Sequence, residues 1–362
     1  MSVPLFATRP LLEPLLDEVA ARQEAVLRSG RYILGPEVDG FEAEFAAYLG
    51  ARHCVGVANG TDALTIALRA LGIGNGDEVV VPALTFYATA EAVVNAGATP
   101  VFCDVDLATF DITAATVEPV LSPRTKAIVP VHLYGNPAPM AELRQLAAAH
   151  GLRLLEDAAQ AAGAKLDGTA AGALGDAATF SFFPSKNLGG FGDGGAIVTD
   201  DDEVAAIARK LRFHGSGGTD QHTEVGYNSR LDEMQAAGLR VLLPHLDAWT
   251  ESRRRVAAAY STSGLGETVT LPVETAGAES CYHLYVVRSP DRNQLAERLA
   301  AADIGARAYY STPLHRQPAM RDFAPPAPLP GVESAASESL ALPMGPALTE
   351  QQATEVAEAA RG

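Results

Sequence analysis

Through residue 245 the apolar positions follow two alternating rhythms, one helical and one strand-like. From Leu11 to Ser29 they fall at helical spacing and stop at Gly30, a residue suited to ending a helix. GRYILGPEV (30–38) reads as a loop. Phe41, Phe45 and Tyr48 then mark one face of a short helix that ends at Gly50. HCVGVA (53–58), EVVVP (78–82) and TPVFCDV (99–105) read as strands, separated by helical TDALTIALRAL (61–71) and FYATAEAVVNAG (86–97). After a helical turn region come KAIVPVHL (126–133), MAELRQLAAAH (140–150) and LRLLEDA (152–158), as strand, helix and strand. Apolar strands spaced by helices predict a mostly parallel sheet covered on both faces.

The rhythm changes after about residue 245. A helix is expected from Leu246 to Ala259, a strand at YHLYVVR (282–288), a helix over 291–303 and a strand at ARAYY (306–310). PPAPLPG (325–331) reads as a surface loop and 349–361 as a closing helix. The expectation is a large α/β domain over 1–245, with an N-terminal helical segment, and a smaller α+β domain over 246–362. No internal repeat interrupts this order.

Composition narrows the function. Hydrophobic residues at 48% against 20% charged allow a sizeable core. A net charge of −17 argues against a sequence-independent nucleic-acid binder and reads as solubility, while leaving room for a locally cationic site. Cys54, Cys103 and Cys281 are sparse, odd in number and widely spaced, so they read as reduced thiols. The scattered histidines have no finger spacing, and no metal site is expected. There is no long apolar run for a membrane span, and MSVPLFATRP lacks the charge-then-apolar plan of a signal peptide. The cytoplasm is the expected location.

Three features carry candidate chemistry. Asn59-Gly60-Thr61 lies between a strand and a helix, where free N–H groups and a helix dipole suit a phosphate. An ordinary helix cap made by Thr61 or Asp62 would look the same. Asp157 closes the apolar run LRLL, so it belongs at the carboxyl end of a central strand, where open α/β sheets bind ligands. It would suit a protonated ring nitrogen, or simply cap the next helix. Lys186 sits in SFFPSKNLGGFGDGGAIV (181–198), between apolar residues and a glycine-rich stretch. A desolvated lysine becomes a nucleophile able to form a Schiff base; a lysine in a surface loop would not. An anion cradle, a ring-nitrogen partner and an imine lysine, in that order, are the needs of pyridoxal 5'-phosphate.

The stretches NGTDAL (59–64), LTFYATAEAVVNAGATPVFCDVD (84–106), EDAAQAAGA (156–164), FSFFPSKNLGGFGDGGAIVTDD (180–201) and GYNSRLDEMQAA (226–237) resemble the DegT/DnrJ/EryC1/StrS family of sugar aminotransferases. The resemblance runs from SGRYILGPEV (29–38) to LALPMGPALT (340–349). It implies a fold-type I pyridoxal-phosphate enzyme with a seven-stranded sheet. By resemblance, Lys186 is the imine lysine and proton shuttle, and Asp157 the pyridinium partner. Gly60, Thr61 and Ser181 match the phosphate cradle, Phe86 the aromatic on the ring face and Gln160 a neighbour of the ring substituents. Phe86 as plain core packing is the other reading. Asn228 and Arg230 match a loop that reaches the neighbouring subunit's site, which implies a homodimer with shared active sites; otherwise Arg230 pairs with Asp232 or Glu233. Tyr32, His132, Tyr134, Tyr310 and His315 resemble positions near the sugar nucleotide, or are structural polar groups.

The resemblance implies amino transfer from L-glutamate to a nucleotide-linked keto sugar. GYNSRLDEMQAA with LRVLLPHLDAW (239–249) looks most like enzymes acting on dTDP-linked deoxyhexoses in antibiotic pathways, with a UDP-linked substrate as the alternative. Relatives that dehydrate carry histidine in place of the lysine, so Lys186 favours transamination. A fold-type I enzyme acting on amino acids is one rival. A desulfurase would need a cysteine in a mobile loop, and Cys54 and Cys103 lie in apolar strands. A non-catalytic protein that kept the fold is the other rival.

Overall fold

The computed structural model describes residues 2–218 and 220–362. Its helices are α1 (Arg9–Leu12), α2 (Leu16–Ser29), α3 (Pro36–Leu49), α4 (Gly60–Ala70), α5 (Ala88–Asn95), α6 (Ala114–Val117), α7 (Met140–His150), α8 (Asp202–Leu211), α9 (Glu233–Leu242), α10 (Leu246–Thr262), α11 (Arg292–Ala301), α12 (Pro330–Glu338) and α13 (Glu350–Arg361). Its strands are β1 (His53–Val57), β2 (Glu78–Pro82), β3 (Thr99–Cys103), β4 (Thr125–Ile128), β5 (Arg153–Asp157), β6 (Lys165–Leu166), β7 (Thr169–Ala170), β8 (Ala177–Ser181), β9 (Gly195–Thr199), β10 (Ala278–Glu279), β11 (Tyr285–Arg288) and β12 (Ser339–Leu342).

Seven strands form the main sheet in the order β1-β9-β8-β5-β4-β2-β3. Only β9 runs against its neighbours; β8, β5, β4, β2 and β3 pair in parallel. The fold is therefore α/β with a mostly parallel sheet, as the apolar rhythm predicts, and its seven strands are the number the family resemblance implies. One core cluster fills the space around β2 to β5 and holds Ile66, Leu68, Val80, Phe102, Ile128 and Leu143. A second lies between α3, α9 and the β8–β9 side, where Phe45 meets Phe180 and Phe182 edge-on at 5.0 and 5.5 Å. Such aromatic contacts add to plain burial. Phe180 and Phe182 face this cluster, which turns the intervening Ser181 to the opposite side of the strand path.

A third cluster joins α10, α11, α13, β11 and β12 through Tyr260, Tyr285, Leu299, Leu340 and Val356. Val3 also belongs to it, bridged to Ile304. Leu284, Val286 and Ala341 pack instead with the first cluster, so the C-terminal strands touch both cores.

Several elements depart from the sequence reading. The helix expected over 11–29 is divided into α1, a 3-10 turn at 13–15 and α2, with Pro14 at the break. The strand expected over 126–133 ends at Ile128; its last residues become a bridge at Val131 and a 3-10 turn at 133–135. ARAYY (306–310) is not a strand: Arg307 makes an isolated bridge to Ala341, and Tyr309 and Tyr310 lie in a turn. The expected loop at 325–331 gives way to α12 at Pro330, since proline is suited to a first helical turn. Among the described residues no helix is long and apolar enough to cross a membrane.

Candidate active site

Strand β5 is the fourth of seven and presents two adjacent carboxylates to opposite faces. Glu156 is fully buried and accepts from the N–H groups of Gly172, Leu174 and Gly175 at 2.8, 2.7 and 2.6 Å. It clips a loop and is consumed by that task. Asp157 closes the strand on the other face, nearly buried. It accepts from Thr89 Oγ1 at 2.8 Å and from the Ala159 N–H at 3.2 Å. Burial pushes its carboxyl above the ordinary range, while the Thr89 hydrogen bond, the Ala159 N–H, Lys186 and His132 pull it back toward the charged form.

Lys186 lies in the turn after β8, with its N–H on the Phe183 carbonyl at 2.8 Å. Burial lowers its amine from the usual range to about 8, and the Asp157 carboxylate opposes that drop. The next residue holds the turn in place: Asn187 Nδ2 donates to the Cys281 carbonyl at 3.0 Å, and its Oδ1 lies 3.0 Å from His283 Nδ1. Burial also lowers the His283 imidazole pKa, with Lys186 and Arg253 adding to the effect.

The α4 N-terminus lies beside Ser181. Asn59 caps the helix by accepting from the Asp62 N–H at 2.8 Å, so the cap is neither Thr61 nor Asp62. Gly60 and Thr61 open the helix with first-turn N–H groups. A Cβ on Gly60 would stand 2.8 Å from Ser181 Cβ, and one on Gly195 would stand 2.5 Å from the Asn59 carbonyl carbon. Both positions require glycine for the backbone and Ser181 to approach so closely.

On the other side, Gln160 Oε1 accepts from the Tyr134 N–H at 2.7 Å, and Gln160 Nε2 donates to Tyr310 Oη at 3.1 Å. The Phe86 ring is 57% exposed and 6.2 Å from the Tyr310 ring, so it is not core packing. Lys186, Asp157, Gln160, Tyr310 and Phe86 are thus drawn into one region, and the Gly60–Ser181 corner stands at the end of β8, the strand that pairs with β5 and leads into the Lys186 turn.

Other sequence candidates have different partners. His132 is fully buried; its Nδ1 accepts from the Ala138 N–H at 3.0 Å, so Nε2 carries the proton and donates to Glu156 at 2.8 Å. Both ring nitrogens are used, which corrects the expectation of a sugar contact. The Tyr134 hydroxyl donates to the Tyr309 carbonyl, and it is the Tyr134 backbone that reaches Gln160. His315 Nε2 lies 3.1 Å from Glu333 on α12. Tyr32 is 47% exposed and donates to the Leu27 carbonyl at 3.2 Å. Asn228 is exposed and takes a hydrogen bond from Arg230, whose guanidinium lies 5.2 Å from the Phe213 ring centre. Arg230 does not pair with Asp232 or Glu233. Asp232 caps α9, and Glu233 accepts from the N–H groups of Gly35, Glu37 and Val38. Among the described residues, no hydrogen bond or ion pair joins Asn228 or Arg230 to Lys186, Asp157 or Gln160.

Thr89, Asn187 and His283 were not anticipated. Thr89 had a faint signal, four residues after Thr85 at the start of a helical pattern; His283 had none.

The residues present fit pyridoxal 5'-phosphate. A lysine amine lowered to about 8, a buried carboxylate at a central strand end and a close-packed Gly60–Ser181 corner at a helix N-terminus match its aldehyde, ring nitrogen and phosphate. Fold and site together define a fold-type I aminotransferase. A model of the DegT/DnrJ/EryC1/StrS aminotransferase family matches residues 15–361, and the chain belongs to that family. It is 49% identical to a dTDP-3-amino-3,4,6-trideoxy-alpha-D-glucose transaminase of Streptomyces venezuelae, over 99% of this chain and 95% of the relative. It is 47% identical to a UDP-N-acetyl-3-dehydro-alpha-D-glucosamine 3-aminotransferase of Acidithiobacillus ferrooxidans, over 98% of this chain and 96% of the relative. The solved structure of S. venezuelae DesV in complex with a ketimine intermediate superposes with a TM-score of 0.97 at 48% identity, covering 99% of this chain and 98% of that one. The protein is a sugar aminotransferase.

Proposed function

We propose that this enzyme moves an amino group from L-glutamate onto a dTDP-linked 3- or 4-keto-6-deoxyhexose, using pyridoxal 5'-phosphate held at Lys186, in the biosynthesis of an amino sugar. The observation that carries the reading is the Lys186 amine, lowered to about 8 beside Asp157. The Streptomyces relative supports the dTDP carrier. A UDP carrier is the second reading, favoured by the Acidithiobacillus relative.

When bound, pyridoxal phosphate supplies an electron sink for the charge left when a proton leaves the carbon next to nitrogen. The Gly60 and Thr61 N–H groups and the Ser181 hydroxyl would hold its phosphate, and Phe86 would lie on the ring face. Gln160 would sit beside the ring substituents, and Asp157 would keep the ring nitrogen protonated. Lys186 Nζ takes the proton from the donor α-carbon and later delivers one to the sugar carbon. Tyr310 would border the sugar. Asn228 and Arg230 would serve the site of a neighbouring subunit in a cytoplasmic homodimer, and Tyr32 would lie near the sugar nucleotide. Residues 246–362 would act as the smaller domain closing over 1–245.

The test loads the protein with the pyridoxamine form of the coenzyme and offers dTDP-keto and UDP-keto sugars. Return of aldehyde-form absorbance with a dTDP sugar supports the proposal, and return only with a UDP sugar selects the second reading. Return only with a simple keto acid overturns both. Lys186→Ala should abolish the response.

A further inference from the structure

The segment Thr85–Thr89 meets the site twice. Phe86 sends its ring outward, 57% exposed, while Thr85 and Thr89 turn inward and are 2% and 1% exposed. Thr89 Oγ1 lies 2.8 Å from Asp157 Oδ2, and Thr85 Oγ1 lies 3.2 Å from Thr89 Oγ1. A threonine hydroxyl owns one hydrogen. Toward an ionised carboxylate that hydrogen must point at Asp157, because the carboxylate only accepts. Thr89 then has a lone pair left for Thr85, so Thr85 donates to Thr89 and Thr89 donates to Asp157. Were Asp157 protonated on Oδ2, Thr89 would have to reverse and accept, and the pair would turn with it.

Building on the proposed function, we propose that Thr85 and Thr89 form a two-hydroxyl relay that holds Asp157 ionised against its own burial. Thr89 is thereby a positioning residue for the acid that faces the coenzyme ring nitrogen. The other groups acting on the Asp157 carboxyl are the Ala159 N–H, Lys186 and His132. Lys186 is committed to the coenzyme aldehyde in the proposed function, and His132 has both ring nitrogens engaged, by Glu156 and by the Ala138 N–H. Thr89 therefore makes the side-chain hydrogen bond to Asp157 that persists when the coenzyme is bound. The donated bond also reserves Oδ2, leaving Oδ1, held only by the Ala159 N–H at 3.2 Å, with capacity for the ring N–H. Valine at position 89 keeps the branched shape and removes the donor, whereas serine keeps the donor.

The test compares Thr89→Val, Thr89→Ser and Thr85→Val with the unmodified protein in three readouts. The first is infrared titration of the Asp157 carboxyl in coenzyme-free protein, assigned by its loss in Asp157→Asn. The midpoint should rise by about one pH unit in Thr89→Val, less in Thr85→Val, and stay in place in Thr89→Ser. The second is the dissociation constant for pyridoxal phosphate, which should weaken about tenfold in Thr89→Val and within about twofold in Thr89→Ser. The third is the acidic limb of the kcat profile, which should move to higher pH in Thr89→Val with donor KM little changed. Equal midpoints in Thr89→Val and the unmodified protein would overturn the relay, and so would a Thr89→Ser variant as impaired as Thr89→Val. If Thr89→Val does not fold, the ordering of Thr85→Val against Thr89→Ser decides. The first readout needs no coenzyme, so failure of the protein to bind pyridoxal phosphate would refute the proposed function while leaving the relay judged by its own titration.

Discussion

Lys186 carries a conflict between burial, which favours the neutral amine, and Asp157, which favours the cation. Burial wins, and the amine falls to about 8. Only the neutral amine attacks an aldehyde, so the rate at which coenzyme-free protein captures pyridoxal phosphate should climb as pH rises and level off above about 8. A stopped-flow series from about pH 6 to about pH 9.5 checks this, and a flat profile would contradict the lowered amine. Gly60 poses a steric question instead. With a methyl group placed 2.8 Å from Ser181 Cβ, Gly60→Ala should weaken coenzyme binding about tenfold while the protein stays folded, measured by equilibrium absorbance titration and circular dichroism.

Among the elements, α3 and α9 are joined by Arg240, which pairs with Glu37 and Glu44, and by one more deeply buried side chain. Glu233, 1% exposed, stands in the first turn of α9 and accepts from Gly35, Glu37 and Val38, the backbone donors at the start of α3. A helix start leaves such donors without partners inside the helix. Glu233→Ala removes their acceptor and should cost about 3 kcal/mol, read as a lowered urea midpoint, with Glu233→Gln retaining part of the stability. The α3 helix carries Phe41 and Phe45, which pack against Phe180 and Phe182 on either side of Ser181. Loosening α3 should therefore also reach the corner where the phosphate is proposed to bind.

For the whole molecule, the open question is which residues serve which site. Asn228 and Arg230 pair with each other, Arg230 lies over the Phe213 ring, and among the described residues neither bonds the Lys186 group of its own chain. If they complete a neighbour's site, mixed dimers of Lys186→Ala and Arg230→Ala regain one good site each. Mixing the two inactive proteins under mild dissociating conditions should then restore up to about a quarter of full activity. Two variants that stay inactive after confirmed subunit exchange would place Arg230 in its own chain's chemistry.

Local pattern was enough for the main sheet up to β5, for α7, and for placing Asp157 at a strand end, because apolar periodicity and strand termination are properties of neighbouring residues. Gly60 and Lys186 each had an ordinary local reading, as a helix cap and as a loop lysine, and became candidates only through their order with Asp157 and the family resemblance. What local pattern missed was decided by partners far along the chain. His132 looked like a site residue until burial against Glu156 and Ala138 used both its nitrogens. ARAYY had the alternation of a strand but became a turn that brings Tyr310 to Gln160. Thr89 acquired its importance only when α5 and β5 met across 68 residues, since a hydroxyl's role depends on the carboxylate it finds, and that pairing exists only in the folded chain.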